Sequence, residues 1–140
     1  MSEYEQRETS IRAELAATRQ AWAEKVLAMD VDGLMALYLP NATLKPTLSP
    51  EIRTTTAGIR AYFEGTTDHP GFAKKGWEGV EFSEPASITV HDNVAIVVVK
   101  CHFTKDGATT TADKTFVYVK QPTGWMIQTH HSSLEYTGAH

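Results

Sequence analysis

The stretch at residues 94–133, "VAIVVVKCHFTKDGATTTADKTFVYVKQPTGWMIQTHHSS", decides the fold. Three runs rich in Val, Ile, Thr, Phe and Tyr are divided by Lys105-Asp106-Gly107 and by Gln121-Pro122-Thr123-Gly124. β-Branched runs separated by Asp-Gly or Pro-Thr-Gly read as hairpins, because those residues accept the backbone angles that tight turns demand. The spacing predicts three long antiparallel strands in succession. Upstream, "SITV" at 87–90 turns at His91-Asp92-Asn93 into the first of them, and "WEGVEFS" at 77–83 adds a shorter strand.

Everything before Trp77 has another character. Ser2-x-x-Glu5 has the form of a capping box, opening a long helix. Ile11, Leu15, Trp22, Val26 and Met29 fall on one stripe of that helix. Asp30, Asp32 and Gly33 mark a turn, and "GLMALYLP" at 33–40 reads as a short second helix stopped by Pro40. "ATLKPTLSP" at 42–50 reads as a strand turning between Pro46 and Pro50, with "EIRTT" at 51–55 as a short return arm. Thr55 or Thr56 caps a third helix, "AGIRAYFEG" at 57–65, with Ile59, Tyr62 and Phe63 inward and Gly65 at its end. Residues 66–76, "TTDHPGFAKKG", have turn composition. Helices followed by strands predict an α+β fold, in α-α-β-α-β-β-β order, with helices on one face of the sheet.

Composition narrows the function classes. The chain has 140 residues, 41% hydrophobic and 21% charged, which suits one domain spanning 1–140 with loose ends at 1–5 and 137–140. A formal net charge of −4 disfavours nucleic acid as a partner. The longest apolar run, "VAIVVV" at 94–99, is far below the roughly 20 residues a membrane helix needs. No secretory signal is visible in "MSEYEQRETS", so the cytoplasm is the expected compartment. A single cysteine, Cys101, excludes an intrachain disulfide and reads as a buried, inert thiol.

These segments together resemble the nuclear transport factor two-like superfamily, whose fold is a cone: a curved antiparallel sheet wrapped around three helices. "MDVDGLMALYLPNATL" at 29–44 is similar to the helix-turn-helix opening of that superfamily. "LKPTLSPEIRTT" with "GIRAYF", and the ending "W.I..HHSS" at 125–133, are similar to the association domain of calcium/calmodulin-dependent protein kinase II and its stand-alone bacterial relatives. The same scaffold carries the ketosteroid-isomerase-like and polyketide-cyclase-like enzymes, so fold alone does not give function. The resemblance implies a homodimer or higher oligomer.

Three arginines line the pocket of the kinase association domain. Two of their positions fall at Phe116 and Ser132, and the third near Val98 or Lys100, so the arginines themselves are absent. The aspartate base of ketosteroid isomerase falls at Lys45 and its tyrosine donor at Trp22, so that chemistry is not carried over. Strand alternation puts Met126, Gln128, His130 and Ser132 on one face, and Trp125, Ile127, Thr129, His131 and Ser133 on the other. Together with the superfamily alignment this predicts a pocket face of Lys114, Tyr118, His130 and Ser132, met by Arg53, whose planar fork suits a carboxylate. Arg53 paired with Glu51 at the surface is the alternative. His131 reads as structural.

Adjacent strand residues point apart, so His130 and His131 do not chelate one ion, and neither a metal nor any other cofactor is expected. An apolar face of Val97, Val99, Thr115, Val117, Val119, Ile127 and Thr129 is expected at a subunit interface. The reading that follows is a homo-oligomer binding a small anionic molecule, its chemistry unassigned. An enzyme of the cyclase, dehydratase or isomerase type using His130 and Arg53 is the first alternative, and an oligomerisation hub the second.

Overall fold

The computed structural model describes residues 2–138. Ser2 caps the first helix by accepting from the Glu5 amide at 3.1 Å. Glu3 and Glu5 in the first turn and Lys25 in the last complement the helix dipole. Helix α1 runs Glu3–Leu27 and buries Leu15, Arg19, Trp22, Ala23 and Val26. That stripe contains a guanidinium, and it stops short of Met29, which lies beyond the helix and is exposed. Helix α2 spans only Val31–Met35, capped by Asp30. Strand β1, Tyr38–Lys45, begins before Pro40 rather than after it. Pro40 sits exposed on β1 where its pairing with the neighbouring strand is interrupted, so its missing N–H costs no ladder bond.

Helix α3, Thr56–Glu64, is capped by Thr55 and ended by Gly65. Gly65 has φ 65°, and a Cβ there would stand 2.1 Å from the Gly71 nitrogen, so only glycine lets the chain cross itself. After a 3-10 turn at Phe72–Lys74 come β2 (Gly79–Phe82), β3 (Ser87–His91), β4 (Val94–Lys105), β5 (Ala108–Gln121) and β6 (Gly124–Leu134). Asp106 and Gly107 both take positive φ, as a two-residue hairpin turn requires.

The sheet runs β1-β6-β5-β4-β2, with β3 also on β4, and curves into the expected α+β cone. Its pairs are antiparallel except β1 with β6, which is parallel. The inner face carries Ala95, Val97, Val99, Cys101 and Phe103 from β4, and Ala112, Lys114, Phe116 and Tyr118 from β5. Trp22 lies at the centre, in ring contact with Phe63, Phe72, Phe82, Phe103 and Phe116.

Two expectations of strand parity are corrected. Val97 pairs with Phe116 and Val98 with Thr115, so Val97 and Val99 are core residues and Val98 is the outward one. On β6, Thr129 pairs with Val117 but Ile127 pairs with Tyr118. Gln128 is thus an extra, bulged residue. It flips the alternation, and Trp125 and Ile127 join His130 and Ser132 inside. Thr115, Val117, Val119 and Thr129 stay on the outer face, half-buried.

Candidate active site

Strand register brings three polar side chains together in the cone. Lys114 is paired with Ser132, and Phe116 with His130, so Lys114 and His130 are diagonal neighbours on one face. Lys114 Nζ donates to Ser132 Oγ at 3.1 Å and lies 3.1 Å from His130 Nε2. It also sits 4.9 Å from the Trp22 ring and 5.3 Å from the Phe103 ring. Lys114 and His130 are each 2% exposed and Ser132 is fully buried. Burial pushes the Lys114 ammonium down to about 8, against a smaller upward pull from Cys101. Burial, then the electrostatic influence of neighbouring Lys114 and His131, hold His130 well below its ordinary range, so its ring is neutral.

Behind His130 stands a phenol. Trp22 Nε1 donates to Tyr38 Oη at 3.0 Å, and Tyr38 Oη is 2.9 Å from His130 Nδ1. Burial raises the Tyr38 phenol far above its usual range, so it keeps its proton. Counting donors fixes the tautomers. An ammonium at Lys114 has no lone pair, so His130 Nε2 must accept and Nδ1–H must donate to Tyr38. An amine at Lys114 can accept from Nε2–H, leaving Nδ1 free to accept from the phenol. The charge of Lys114 is therefore coupled to which ring nitrogen of His130 carries the proton.

On the other side, Ser132 Oγ is hydrogen-bonded to Thr47 Oγ1. Thr47 belongs to the loop between β1 and α3 that closes the site towards solvent, and the next residue, Leu48, is exposed. The loop is held from below by Tyr62, whose hydroxyl accepts from the Leu48 amide at 3.3 Å. Burial pushes that phenol up to about 12. Lys45 is turned into the same loop, donating to the carbonyls of Pro46 at 2.7 Å and Ser49 at 3.3 Å.

Of the five residues expected in the site, Lys114, His130 and Ser132 meet. Arg53 does not join them. Its guanidinium donates to the Gly58 carbonyl at 3.0 Å, lies 3.7 Å from the Glu51 carboxylate and 5.8 Å from the Tyr62 ring. It braces the start of α3 and the loop, because the return arm pairs Arg53 with Leu44 and fixes where the side chain leaves the backbone. Tyr118 shares the inner face but lies beyond Phe116, where its charge partner is Arg19. His131 is exposed, opposite in direction to buried His130, and so is not a packed structural histidine. Among the described residues, no three His, Cys, Asp or Glu side chains converge as metal ligands. Thr47 and Tyr38 were missed in sequence: Thr47 lies in a proline-bounded turn, and Tyr38 reads as a wall aromatic.

Residues 16–134 match the family model described as "metal-independent carbonic anhydrase". The chain belongs to the metal-independent carbonic anhydrase family. A relative from Nostoc sp. strain PCC 7120, a metal-independent carbonic anhydrase, is 38% identical over 137 residues, 91% of this chain. The chain spans 64% of that relative's length. Among solved structures, a protein from Xanthomonas campestris described as a calcium/calmodulin-dependent protein kinase II association domain is 27% identical. It covers 89% of this chain and 87% of its own, with a TM-score of 0.74. A nuclear transport factor two-like protein from Salmonella enterica is 22% identical with a TM-score of 0.72, covering 94% and 95%. A protein from Parabacteroides distasonis described as a ketosteroid isomerase is 15% identical with a TM-score of 0.70, covering 89% and 88%.

The superfamily expected from sequence is thus the one found. The functional expectation is corrected. A family of enzymes replaces the oligomer binding an anion with unassigned chemistry. The correction has a physical side: Lys114, Tyr118, His130 and Ser132 were expected to face Arg53 across a pocket, and the inner face instead carries a closed chain of amine, imidazole and hydroxyls.

Proposed function

We propose that this chain hydrates CO2 to bicarbonate without a metal, at the Lys114–His130–Ser132–Thr47 cluster. The observation that carries the reading is Lys114 Nζ held 3.1 Å from both His130 Nε2 and Ser132 Oγ in a dry setting. The step needs a base for water and donors for the oxygens that become negative. In the amine form the Lys114 lone pair turns from His130 Nε2–H to a water seated at Ser132 and takes its proton. The water oxygen bonds to the CO2 carbon, and the C=O electron pair moves onto oxygen. The product is bicarbonate beside an ammonium, an ion pair favoured in a low-dielectric pocket. Thr47 and Ser132 hydroxyls donate to the product oxygens, and opening of the Thr47–Leu48 loop releases it. Lys114 then returns its proton to solvent, with the His130–Tyr38 chain switching tautomer as the charge changes.

Stopped-flow hydration of CO2 with a chelator present tests this. Turnover is expected to persist with chelator and to be lost in Lys114→Met. Loss on chelation, or full activity in Lys114→Met, would refute it. The half-buried outer face of Thr115, Val117, Val119 and Thr129, with exposed Val98, supports pairing of two copies. Light scattering should find a particle larger than one chain at tens of micromolar, and a single-chain mass there removes that pairing.

A further inference from the structure

A second buried cation has no such company. Arg19 lies on the inner stripe of α1 and is 6% exposed, yet its Nη1 is buried without a hydrogen-bond partner. A buried N–H left unmade is costly, and native proteins rarely carry one without a use. Arg19 lines a cavity of about 360 Å³ between α1 and the β2–β3 connection, at the small end of ligand pockets. Arg12 stands two turns earlier on the same face, with small Ala16 between them leaving room. Ser83, Glu84 and Pro85 form part of the opposite wall. Burial lowers the affinity of Arg19 for its proton, while Tyr118 and Glu84 support its charge, so a guanidinium remains. The two arginines against the one carboxylate leave the cavity positive.

We infer that the Arg19 cavity is a binding site for a small planar oxyanion, a carboxylate or bicarbonate, separate from the Lys114 cluster. A guanidinium matches two oxygens in one plane bidentately, and a small turn of the Arg19 fork into the cavity would give its closed-off Nη1–H the acceptor it lacks. Arg12 adds charge from the rim, while the Ser83 hydroxyl is already bonded to His102 Nε2 at 2.8 Å and serves as wall. Glu84 opposes the anion, so it sets the affinity low.

The test is a titration of the full, isotope-labelled chain with sodium formate and, separately, sodium bicarbonate at constant ionic strength, followed by NMR at the Arg19 side chain and the Ser83 amide. Saturable shifts are expected, with Kd on the order of millimolar. Response to formate alone points to an organic carboxylate, to bicarbonate alone to that ion, and to both to any trigonal oxyanion. Arg19→Gln should weaken binding at least tenfold, Glu84→Gln should tighten it, and Lys114→Met should leave it unchanged. Should Arg19→Gln fail to fold, Arg12→Gln at the exposed rim serves, with binding several-fold weaker. Shifts that do not saturate, unchanged affinity in the arginine variants, loss of binding in Lys114→Met, or loss in Glu84→Gln would each overturn the site. The last would mean that Glu84 holds Arg19 in place rather than opposing the anion.

Discussion

Lys114 and Arg19 are both cations buried inside one small cone, and they are treated in opposite ways. Lys114 has an imidazole, a hydroxyl and two aromatic faces within reach. Arg19 has an unmade N–H and a cavity in front of it. A lysine can give up its proton when desolvated, and its downward shift to about 8 makes both forms available near neutrality. An arginine cannot, so burial leaves it charged and in want of an anion. The same cost of burial thus produces a proton-transfer group at one place and an anion receptor at the other.

The largest expected effect separates them by activity. Lys114→Met should lower CO2 hydration by about 100-fold or more, the range of a lost general base. Arg19→Met should leave hydration near the wild-type rate and raise stability by about 1–3 kcal/mol in anion-free buffer, because an unsatisfied buried donor is removed. Stopped-flow rates and urea unfolding on both variants check it. If Arg19→Met is the inactive one, the roles assigned to the two cations are reversed.

Next comes the pH dependence of stability. Lys114 falls to about 8 in the folded chain from its ordinary 10.5. Between those values the unfolded chain binds more protons than the folded one, so stability rises with pH across the window. Below pH 8 the folded chain carries the buried charge at a cost of roughly 3 kcal/mol relative to high pH, at 1.36 kcal/mol per unit. Lys114→Met should lack that rise. By the same assignment wild-type hydration should climb with a midpoint near 8 while dehydration of bicarbonate falls. Equal slopes in wild type and Lys114→Met would show that the amine is not desolvated.

A smaller effect is expected one step behind the cluster. Tyr38→Phe removes the acceptor of the Trp22 N–H and the partner of His130 Nδ1. It should cost about 1–3 kcal/mol in stability and slow hydration without moving the pH midpoint far. If Tyr38→Phe folds and turns over as wild type, the coupled tautomer chain has no catalytic part.

The difference between what was legible and what was not follows the same line. The hairpins at Asp106-Gly107 and Pro122-Thr123 and the caps at Ser2 and Thr55 are local signals, and the α+β class followed from them, while the cone came from the resemblance to the superfamily. Lys114, His130 and Ser132 were placed on one inner face because strand alternation and motif alignment agreed there, and they do meet. Alternation misled one residue pair away, since nothing in "WMIQTH" marks Gln128 as a bulge. Thr47 could not be found by period, because it reaches Ser132 from an aperiodic loop 85 positions distant. Arg19 is the instructive miss. It sits at i+4 from Leu15 and three before Trp22, squarely on the apolar stripe. A charge at a core position of an amphipathic helix is itself the signal.

The smallest effect concerns Cys101, which lies on β4 beside the Lys114 strand and couples to it. Burial pushes its thiol up to about 12, with Lys114 pulling weakly the other way. A protonated thiol contributes packing and only that small upward pull on Lys114. Cys101→Ala should therefore lower stability by about 1 kcal/mol and leave the hydration midpoint near that of wild type. A thiolate would act differently: its removal would take a negative charge from beside Lys114 and shift the midpoint down by a clear fraction of a unit. The folded chain should also resist thiol reagents at neutral pH, since the thiolate is the reactive form. A lowered midpoint in Cys101→Ala, together with rapid labelling of the wild type, would mean that the Lys114 cluster holds an ion pair, and the contrast with lone Arg19 would become one of a partnered against an unpartnered charge.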